Sequence, residues 1–211
     1  MALKLKAKNP APSPSVGEGV REVFVGGKRI LVIDGLFDGA SIEKVFNFLK
    51  SCPYRWINTD NLKDSHSVRW KADLPTSIQD QPFFSEIVRK SNDAFGTPDT
   101  VLHRVYANMN HYGEIHFEHI DELEGFSALY YANPEWDPSW QGETLFFADN
   151  GEALTAVSPK PGRLLIFDAS IIHRGSPPSR ECFAPRITLA FKFVPRENAR
   201  ERAKKRPKRV S

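Results

Sequence analysis

The first half of the chain contains short strand patterns followed by helical ones. Residues 21–25 and 29–33 are rich in apolar side chains and flank Gly26-Gly27, which is typical of a β-hairpin. Apolar residues then recur at helical spacing, which predicts helices over residues 41–51 and about 79–95. The apolar positions predict which side chains face the core: Ile42, Val45, Phe46 and Leu49 in the first helix, and Phe83, Phe84, Ile87 and Val88 in the second.

From residue 100 onward the pattern changes to short apolar segments separated by Gly, Pro, Asp and Asn. These segments predict strands at residues 100–108, 115–121, 126–132, 143–148, 153–157, 163–168, 171–174 and 186–193. Short strands that follow two helices favour a mainly β fold of the α+β class. We therefore predict a jelly-roll β-sandwich with the helices as a buttress on one side.

The last predicted strand has two chemically different faces. Its apolar side chains alternate with small or polar ones, so that one face carries Ile187, Leu189, Phe191 and Phe193 and the other carries Arg186, Thr188, Ala190 and Lys192. A guanidinium in such a pocket can form two parallel hydrogen bonds with a carboxylate, to which the Thr188 hydroxyl can add a third. Arg186 is the predicted anchor for an acidic ligand, and Arg180 is the alternative.

Two histidines and a carboxylate are spaced so that they can bind one metal ion. His119 and Asp121 are two residues apart in a predicted strand, which would point both side chains to the same face. His173 ends an apolar segment and can return from the far side of the sandwich as a third ligand. This donor set suits non-heme Fe(II) oxygenases and leaves adjacent positions open for a 2-oxo acid and O2. Taken singly, each residue is equally compatible with a structural hydrogen bond at a strand end.

Length and composition indicate one intracellular domain with extended ends. At 211 residues the chain is long enough for a substantial core, and it contains no apolar run near the ~18 residues that span a bilayer. Only two cysteines occur, outside any CxxC pair, so they are predicted to be reduced thiols. We predict a disordered leader over residues 1–20, a metal-binding domain over 21–195 with its core at about 100–193, and a basic tail over 196–211.

The positive charge of the chain is concentrated in this tail. Residues 196–211 hold eight Lys or Arg and two Glu, a net charge of +6, whereas residues 1–195 carry 21 basic and 24 acidic residues, a net charge of −3. Such a tail can contact nucleic acid or ribosomes, or act as a nuclear import signal, or be a solvated terminus without a specific partner. We predict a cytoplasmic protein, or a nuclear one if the tail is an import signal, with no membrane association and a monomeric or dimeric state.

Between Gly113 and Phe193 the chain resembles the Fe(II)/2-oxoglutarate-dependent dioxygenases, in particular their prolyl-hydroxylase-like branch. The likeness lies in an ordered set of segments: His119-Ile120-Asp121, Ala128 to Trp136, Trp140 to Phe147, Pro161 to Asp168, His173-Arg174-Gly175 and Arg186-Ile187-Thr188. It implies a double-stranded β-helix. It also implies a reaction that consumes O2 and 2-oxoglutarate and yields succinate, CO2 and a hydroxylated product, with ascorbate as a further reductant.

The resemblance also implies a role for individual residues. His119, Asp121 and His173 become the catalytic iron ligands, Arg186 becomes the 2-oxoglutarate anchor, and Tyr131 becomes a phenol that helps hold the same carboxylate. Tyr112 and Trp140 are predicted to contact substrate. The lysine that anchors the cosubstrate in collagen-type relatives is replaced by Phe183, and the chain uses the arginine variant.

The substrate predicted by this resemblance is a prolyl residue of a protein, a free amino acid or a small carboxylate metabolite. Lys192 stands where prolyl-hydroxylase relatives often place a tryptophan near the substrate, which favours a substrate with a carboxylate. Two alternatives remain at this level: a cupin-like metal-binding module that does not use 2-oxoglutarate, and a hydroxylase associated with nucleic acid or ribosomes through its tail.

Overall fold

The computed structural model describes residues 19–58, 68–114 and 116–205. The strands of this part of the chain are β1 (Val20–Val25), β2 (Lys28–Ile33), β3 (Arg55–Asn58), β4 (Val68–Leu74), β5 (Thr100–Asn110), β6 (Phe126–Tyr131), β7 (Thr144–Phe147), β8 (Ala153–Val157), β9 (Leu164–Asp168), β10 (His173–Gly175) and β11 (Arg186–Pro195). The helices are α1 (Gly39–Lys50), α2 (Pro82–Phe95) and α3 (Arg196–Lys205), with short 3-10 turns at Thr76–Asp80 and Pro138–Trp140.

The described strands form two antiparallel sheets. The large sheet has the order β1-β2-β9-β6-β11-β5-β4-β3, and the small one has the order β10-β7-β8. Neighbours in the large sheet are mostly distant in sequence, as when β11 lies between β5 and β6. This arrangement is the predicted jelly roll, a double-stranded β-helix with helices on one side.

The two faces of β11 explain how the large sheet is used. Ile187, Leu189, Phe191 and Phe193 point into a core that also contains Val45 and Leu49 of α1 and Phe84 and Ile87 of α2. Arg186, Thr188, Ala190 and Lys192 line a cavity on the opposite face. The alternation predicted from the sequence is therefore confirmed. A second apolar cluster fills another part of that opposite face, with Phe146 and Val157 of the small sheet packed near Leu165 and Phe167 of β9.

Local sequence accounts for where the two buttress helices begin. Asp38 precedes α1, and its carboxylate accepts a hydrogen bond of 2.7 Å from the backbone N–H of Ser41, which satisfies a free donor of the first turn. Helix α2 begins at Pro82, a residue that suits a first helical position because it has no N–H to leave unpaired there. The predicted second helix is thus divided into a 3-10 turn and α2.

Most predicted elements are present, but one strand prediction is wrong. The segment 115–121 is not a strand among the described residues; only His119 makes an isolated bridge, to His173. Strands β3 and β4 and helix α3 were not predicted, because none of them carries the long apolar stripe that the sequence criteria detect. The predicted leader, apart from Gly19 and Val20, lies outside the described residues.

The C-terminal segment is helical in its first part. Helix α3 covers Arg196–Lys205, and the last six residues lie outside the described part of the chain, so a contact of the tail with nucleic acid or ribosomes stays a prediction. No helix in residues 19–58, 68–114 or 116–205 combines the length and apolarity that crossing a membrane requires.

An ion pair joins the start of β9 to the end of β2. Arg163 donates from Nε and from a terminal nitrogen to the two carboxylate oxygens of Asp34, each at 2.8 Å, and Lys160 adds a hydrogen bond of 3.3 Å. These hydrogen bonds, first of all that from Arg163, lower the pKa of Asp34 below its ordinary value. The pair therefore stabilises the folded protein while Asp34 is ionised.

We expect Asp34→Asn to lower the free energy of unfolding by about 1 kcal/mol at neutral pH. Because the folded-state pKa is depressed, the contribution is complete above the ordinary carboxyl pKa of about 4 and disappears as the pH falls through the lower, folded-state value. Urea unfolding at several pH values measures the difference, with exposed Asp149→Asn as the control. A difference between the wild type and Asp34→Asn that did not change with pH would contradict this.

Candidate active site

Reciprocal backbone hydrogen bonds bring the two predicted histidine ligands side by side. The N–H of His119 donates to the carbonyl of His173 at 3.0 Å, and the N–H of His173 donates to the carbonyl of His119 at 2.9 Å. The backbone N–H of Asp121 donates to the carbonyl of Ala169, at 2.9 Å. The segment that carries His119 and Asp121 is thus held against the β9–β10 connection without belonging to a regular strand.

Each imidazole is oriented by the backbone carbonyl of the residue two positions before it. Nδ1 of His119 lies 3.0 Å from the carbonyl oxygen of Phe117, and Nδ1 of His173 lies 2.8 Å from that of Ile171. Because a carbonyl only accepts, each Nδ1 carries a proton, and a ring in its neutral form keeps a lone pair on Nε2. Burial, and next the charge of His173, lower the pKa of His119 to about 4, so this ring stays neutral at physiological pH.

Asp121 provides the carboxylate between these two nitrogens. Its Oδ1 lies 3.7 Å from Nε2 of His119, and its Oδ2 lies 3.4 Å from Nε2 of His173. One ligand atom from each of the three residues falls within 4.8 Å of the others, a spacing that can hold a metal ion. Two nitrogens and a carboxylate oxygen in this grouping fit Fe(II) and leave other coordination positions for small ligands.

Two further side chains hold Oδ2 of Asp121. Ser127 donates its hydroxyl hydrogen to this oxygen at 2.6 Å, and Lys192 donates from its ammonium group to the same atom. Ser127 and Lys192 are register partners on β6 and β11, so one rung of the large sheet supplies both donors. Burial alone would raise the pKa of Asp121, but the charge of Lys192 holds it well below the ordinary value. The carboxylate is therefore ionised, and Oδ1 is the oxygen left free of these two donors.

Arg186 lies deeper in the same cavity, which has a volume of about 280 Å³. The side chain is 2% exposed, and its Nε donates to the carbonyl of Gly142 at 2.6 Å. Its terminal nitrogens donate to the side-chain oxygens of Asn110 at 3.4 Å and Thr144 at 3.2 Å. All three acceptors are uncharged, and burial lowers the pKa of this guanidinium. Among the described residues, no carboxylate forms an ion pair with Arg186.

The turn before β7 is shaped to receive Arg186. Gly142 has φ +83°, and a Cβ on this residue would lie 3.0 Å from the Trp136 ring and 3.1 Å from Cδ of Arg186. The indole N–H of Trp136 donates to the carbonyl of Gln141 at 2.9 Å, which holds the turn in place. Trp136 therefore holds Gln141, the residue before the glycine whose carbonyl accepts from Arg186.

Residues 102–193 match the family model described as 2OG-Fe(II) oxygenase superfamily. This is the part of the chain that contains the two histidines, Asp121 and Arg186. The part of the chain that holds the candidate site, residues 102–193, therefore belongs to the 2OG-Fe(II) oxygenase superfamily. It is a 2-oxoglutarate-dependent oxygenase that uses Fe(II). A comparison with curated protein sequences found no match.

Solved structures support the fold of this oxygenase. A prolyl-4-hydroxylase from Pseudomonas putida superimposes with a TM-score of 0.60 at 15% identity, over 78% of this chain and 92% of that one. A prolyl hydroxylase from Trichoplax adhaerens, in complex with a hypoxia inducible factor peptide fragment, gives 0.60 at 16% identity over 84% and 87%. HygX from Streptomyces hygroscopicus, with nickel and 2-oxoglutarate bound, gives 0.56 at 14% identity over 79% and 82%.

The other residues predicted for cofactor and substrate lie at different distances from the cavity. Thr188 lines it, whereas Tyr131 lies behind it, with its hydroxyl 2.7 Å from that of Thr144 and the guanidinium of Arg186 5.2 Å from its ring centroid. Tyr112 is 61% exposed and Trp140 stacks edge-on against Trp136; neither lines the cavity, so a substrate contact would require the substrate to extend beyond it. Arg180, the alternative anchor, is exposed and is also absent from the lining.

Lys192 faces the cavity as predicted, but its surroundings differ from the expectation. Its ammonium group is 3.2 Å from the hydroxyl of Ser127 and is bound to Asp121, because the register of β6 and β11 places these partners next to it. A contact with a substrate carboxylate would require this ion pair to open. The structure thus gives Lys192 a role at the metal-ligating carboxylate of the oxygenase.

Sequence reasoning missed several polar residues of the site. Ser127, Thr144, Asn108 and Asn110 are each at least nine-tenths buried. Asn108 and Asn110 line the cavity, and the side-chain oxygen of Asn108 has no hydrogen-bond partner. The sequence did contain a signal for these residues, because a polar residue inside an otherwise apolar strand needs a hydrogen-bond partner when it is buried. The sequence could not reveal which partner each of them has.

Replacing Lys192 with Met tests its role as the counter-ion of Asp121. In the metal-free protein, Lys192→Met leaves a buried carboxylate uncompensated, and we expect a loss of about 3 kcal/mol in the free energy of unfolding. A bound divalent ion supplies the missing positive charge, so the loss should shrink when Zn(II) is added. Thermal and urea unfolding with and without Zn(II) measure both quantities.

Lys192→Arg is the matched variant, because it keeps the charge. We expect its response to Zn(II) to stay close to that of the wild type. An equal destabilisation of Lys192→Met in the metal-free and Zn(II)-bound proteins would show that Lys192 contributes packing alone.

Proposed function

We propose that this oxygenase hydroxylates an unactivated C–H bond of a prolyl residue or a small carboxylate-bearing metabolite, with succinate and CO2 as co-products. In this proposal His119, Asp121 and His173 bind Fe(II). Arg186 binds the distal carboxylate of 2-oxoglutarate, with Thr188 beside it and Tyr131 behind it. The iron, when bound, supplies the redox chemistry with O2 and the oxo acid.

The observation that supports this most strongly is a buried guanidinium that shares a cavity with the three metal-ligating side chains. A buried charge is costly unless it is paired, and the three hydrogen bonds of Arg186 go to neutral oxygens. A dicarboxylic acid that reaches from the metal to Arg186 would supply the missing negative charge. The side chains between them are small or hydroxylic, namely Ala190 and Thr188.

The protein orients the ligating side chains and excludes water from the cavity. The carbonyls that bind Nδ1 of the two histidines keep both Nε2 atoms available for a metal. Ser127 and Lys192 keep Asp121 ionised and fix the orientation of its carboxylate. Leu129 and Phe167 give the cavity an apolar wall that limits access of water. Excluding water strengthens every electrostatic contact of the cosubstrate. This scheme needs no side chain as a general base.

The substrate class is supported by likeness of fold and by the size of the cavity. Two of the three structures described above are prolyl hydroxylases, one of them with a peptide, and HygX has also been solved with hygromycin B bound. A cavity of about 280 Å³ is at the lower end of the range for small-molecule sites. It suits 2-oxoglutarate together with a small substrate or one residue of a peptide.

The direct test is turnover of 2-oxoglutarate with candidate substrates. Purified protein with Fe(II), ascorbate, O2 and 2-oxoglutarate should form succinate, and mass spectrometry of prolyl peptides and amino acids should find one that gains an oxygen atom. Arg186→Met should raise the KM for 2-oxoglutarate roughly a hundredfold, since it removes charge-assisted hydrogen bonds of about 2–3 kcal/mol. His173→Ala should abolish succinate formation.

Arg180→Met is the matched control, because it removes an exposed arginine close to the same histidine in sequence. We expect it to leave the KM for 2-oxoglutarate unchanged. Metal binding without any succinate would favour the alternative of a cupin-like module. An unchanged KM in Arg186→Met would mean that another residue anchors 2-oxoglutarate.

A further inference from the structure

A further cationic side chain, Arg69, faces the cavity from strand β4. The large sheet has the order β11-β5-β4, so β5 separates Arg69 from Arg186. Lys71 lies directly opposite cavity-lining Asn108 of β5, and Arg69, two residues before Lys71, projects from the same face. Arg69 is accordingly part of the cavity wall. It occupies a different position from the proposed 2-oxoglutarate anchor.

The Nε atom of Arg69 is buried and has no hydrogen-bond partner among the residues that the structure describes. No ion pair of Arg69 occurs among residues 19–58, 68–114 and 116–205. Leaving a buried donor of a charged group unpaired costs more free energy than leaving a neutral donor unpaired. Such a donor in a cavity wall needs a ligand or water as its partner.

In the described part of the chain, three acidic side chains on this side of the molecule already have partners. Asp73 is bound by Lys71 at 3.2 Å and lies 3.8 Å from Arg104. Glu114 lies 3.3 Å from Nδ1 of His111 and 3.6 Å from Nε2 of His116. Asp121 is held by Lys192. A carboxylate brought in by a ligand is therefore the natural partner of Arg69.

Arg69 lines the same cavity as His119, Asp121 and His173. Its charge is one of the influences that lower the pKa of His119, after burial and the charge of His173. On the same rim, Phe117 and Ile120 line the cavity while 41% and 39% exposed. An apolar rim next to a guanidinium with an unpaired Nε suits a molecule that has both a hydrocarbon part and a carboxylate.

We propose that Arg69 binds a carboxylate of the substrate and that Phe117 and Ile120 contact the substrate's hydrocarbon part. This inference rests on the proposed function, because it names the substrate class of the same site. A carboxylate that approaches side-on can accept from Nε and from one terminal nitrogen of a guanidinium, and the unpaired atom here is Nε. Lys192 is not available for that task while it is bound to Asp121.

The test is an NMR titration of the full-length protein with Zn(II) in place of Fe(II). The Nε–H signals of Arg69 and Arg186 are assigned by their loss in Arg69→Lys and Arg186→Lys. We expect 2-oxoglutarate alone to shift the Arg186 signal and leave the Arg69 signal in place. Acetate added to the Zn(II) and 2-oxoglutarate complex should then shift the Arg69 signal saturably, whereas neutral acetamide should not. The Nε–H signal of exposed Arg180 reports the non-specific effect of ionic strength.

Each other outcome has a defined meaning. An Arg69 signal that ignores acetate would mean that water is its partner, and one that already moves with 2-oxoglutarate would assign Arg69 to the cosubstrate; either result overturns the inference. An Arg186 signal that does not respond to 2-oxoglutarate would instead count against the proposed function. The remaining signals of Arg69→Lys show whether that variant keeps the fold.

Discussion

A buried carboxylate has to be compensated, and Asp121 draws its compensation from several separate segments of the chain. Its Oδ2 accepts from Ser127 of β6 and Lys192 of β11, and Nε2 of His173 on β10 is 3.4 Å away. His119, from the segment before β6, is adjacent through its own Nε2. Because these segments meet only when the jelly roll has formed, folding and assembly of the metal-binding group are one event. A divalent ion at this point would add a further positive charge to a group that is already ionised.

The two faces of strand β11 have different roles: one stabilises the fold, and the other forms part of the candidate site. One face of β11 packs against the helices through Ile187, Leu189 and Phe191, while the other presents Arg186 and Lys192 to the cavity. The strand lies between β5 and β6, so each polar side chain has a cross-strand neighbour that can orient it. Arg186 has Asn110 in register, and Lys192 has Ser127. The face of β11 that lines the cavity is therefore polar, and the opposite face, which packs against the helices, is apolar.

The sequence predicted the features that depend on periodicity, and it failed where partners come from distant segments. The alternation in β11 indicated both its core face and its cavity face correctly. His119 and Asp121 do not lie on the predicted strand, yet their side chains still meet because backbone hydrogen bonds to His173 and Ala169 hold that segment. The engagement of Lys192 by Asp121 depends on the register of β6 and β11, and the position of Arg69 depends on the unpredicted strand β4. Neither the Lys192–Asp121 pair nor the position of Arg69 can be recognised from the local sequence.

The measurement that most directly tests this account is a crystal structure of the protein with Fe(II) and 2-oxoglutarate, grown without oxygen. We predict a metal bound by Nε2 of His119, Nε2 of His173 and Oδ1 of Asp121. Ser127 and Lys192 should still donate to Oδ2, and the distal carboxylate of 2-oxoglutarate should lie on Arg186. A metal bound through Oδ2 with Lys192 displaced, or a cosubstrate whose distal carboxylate lies away from Arg186, would contradict it.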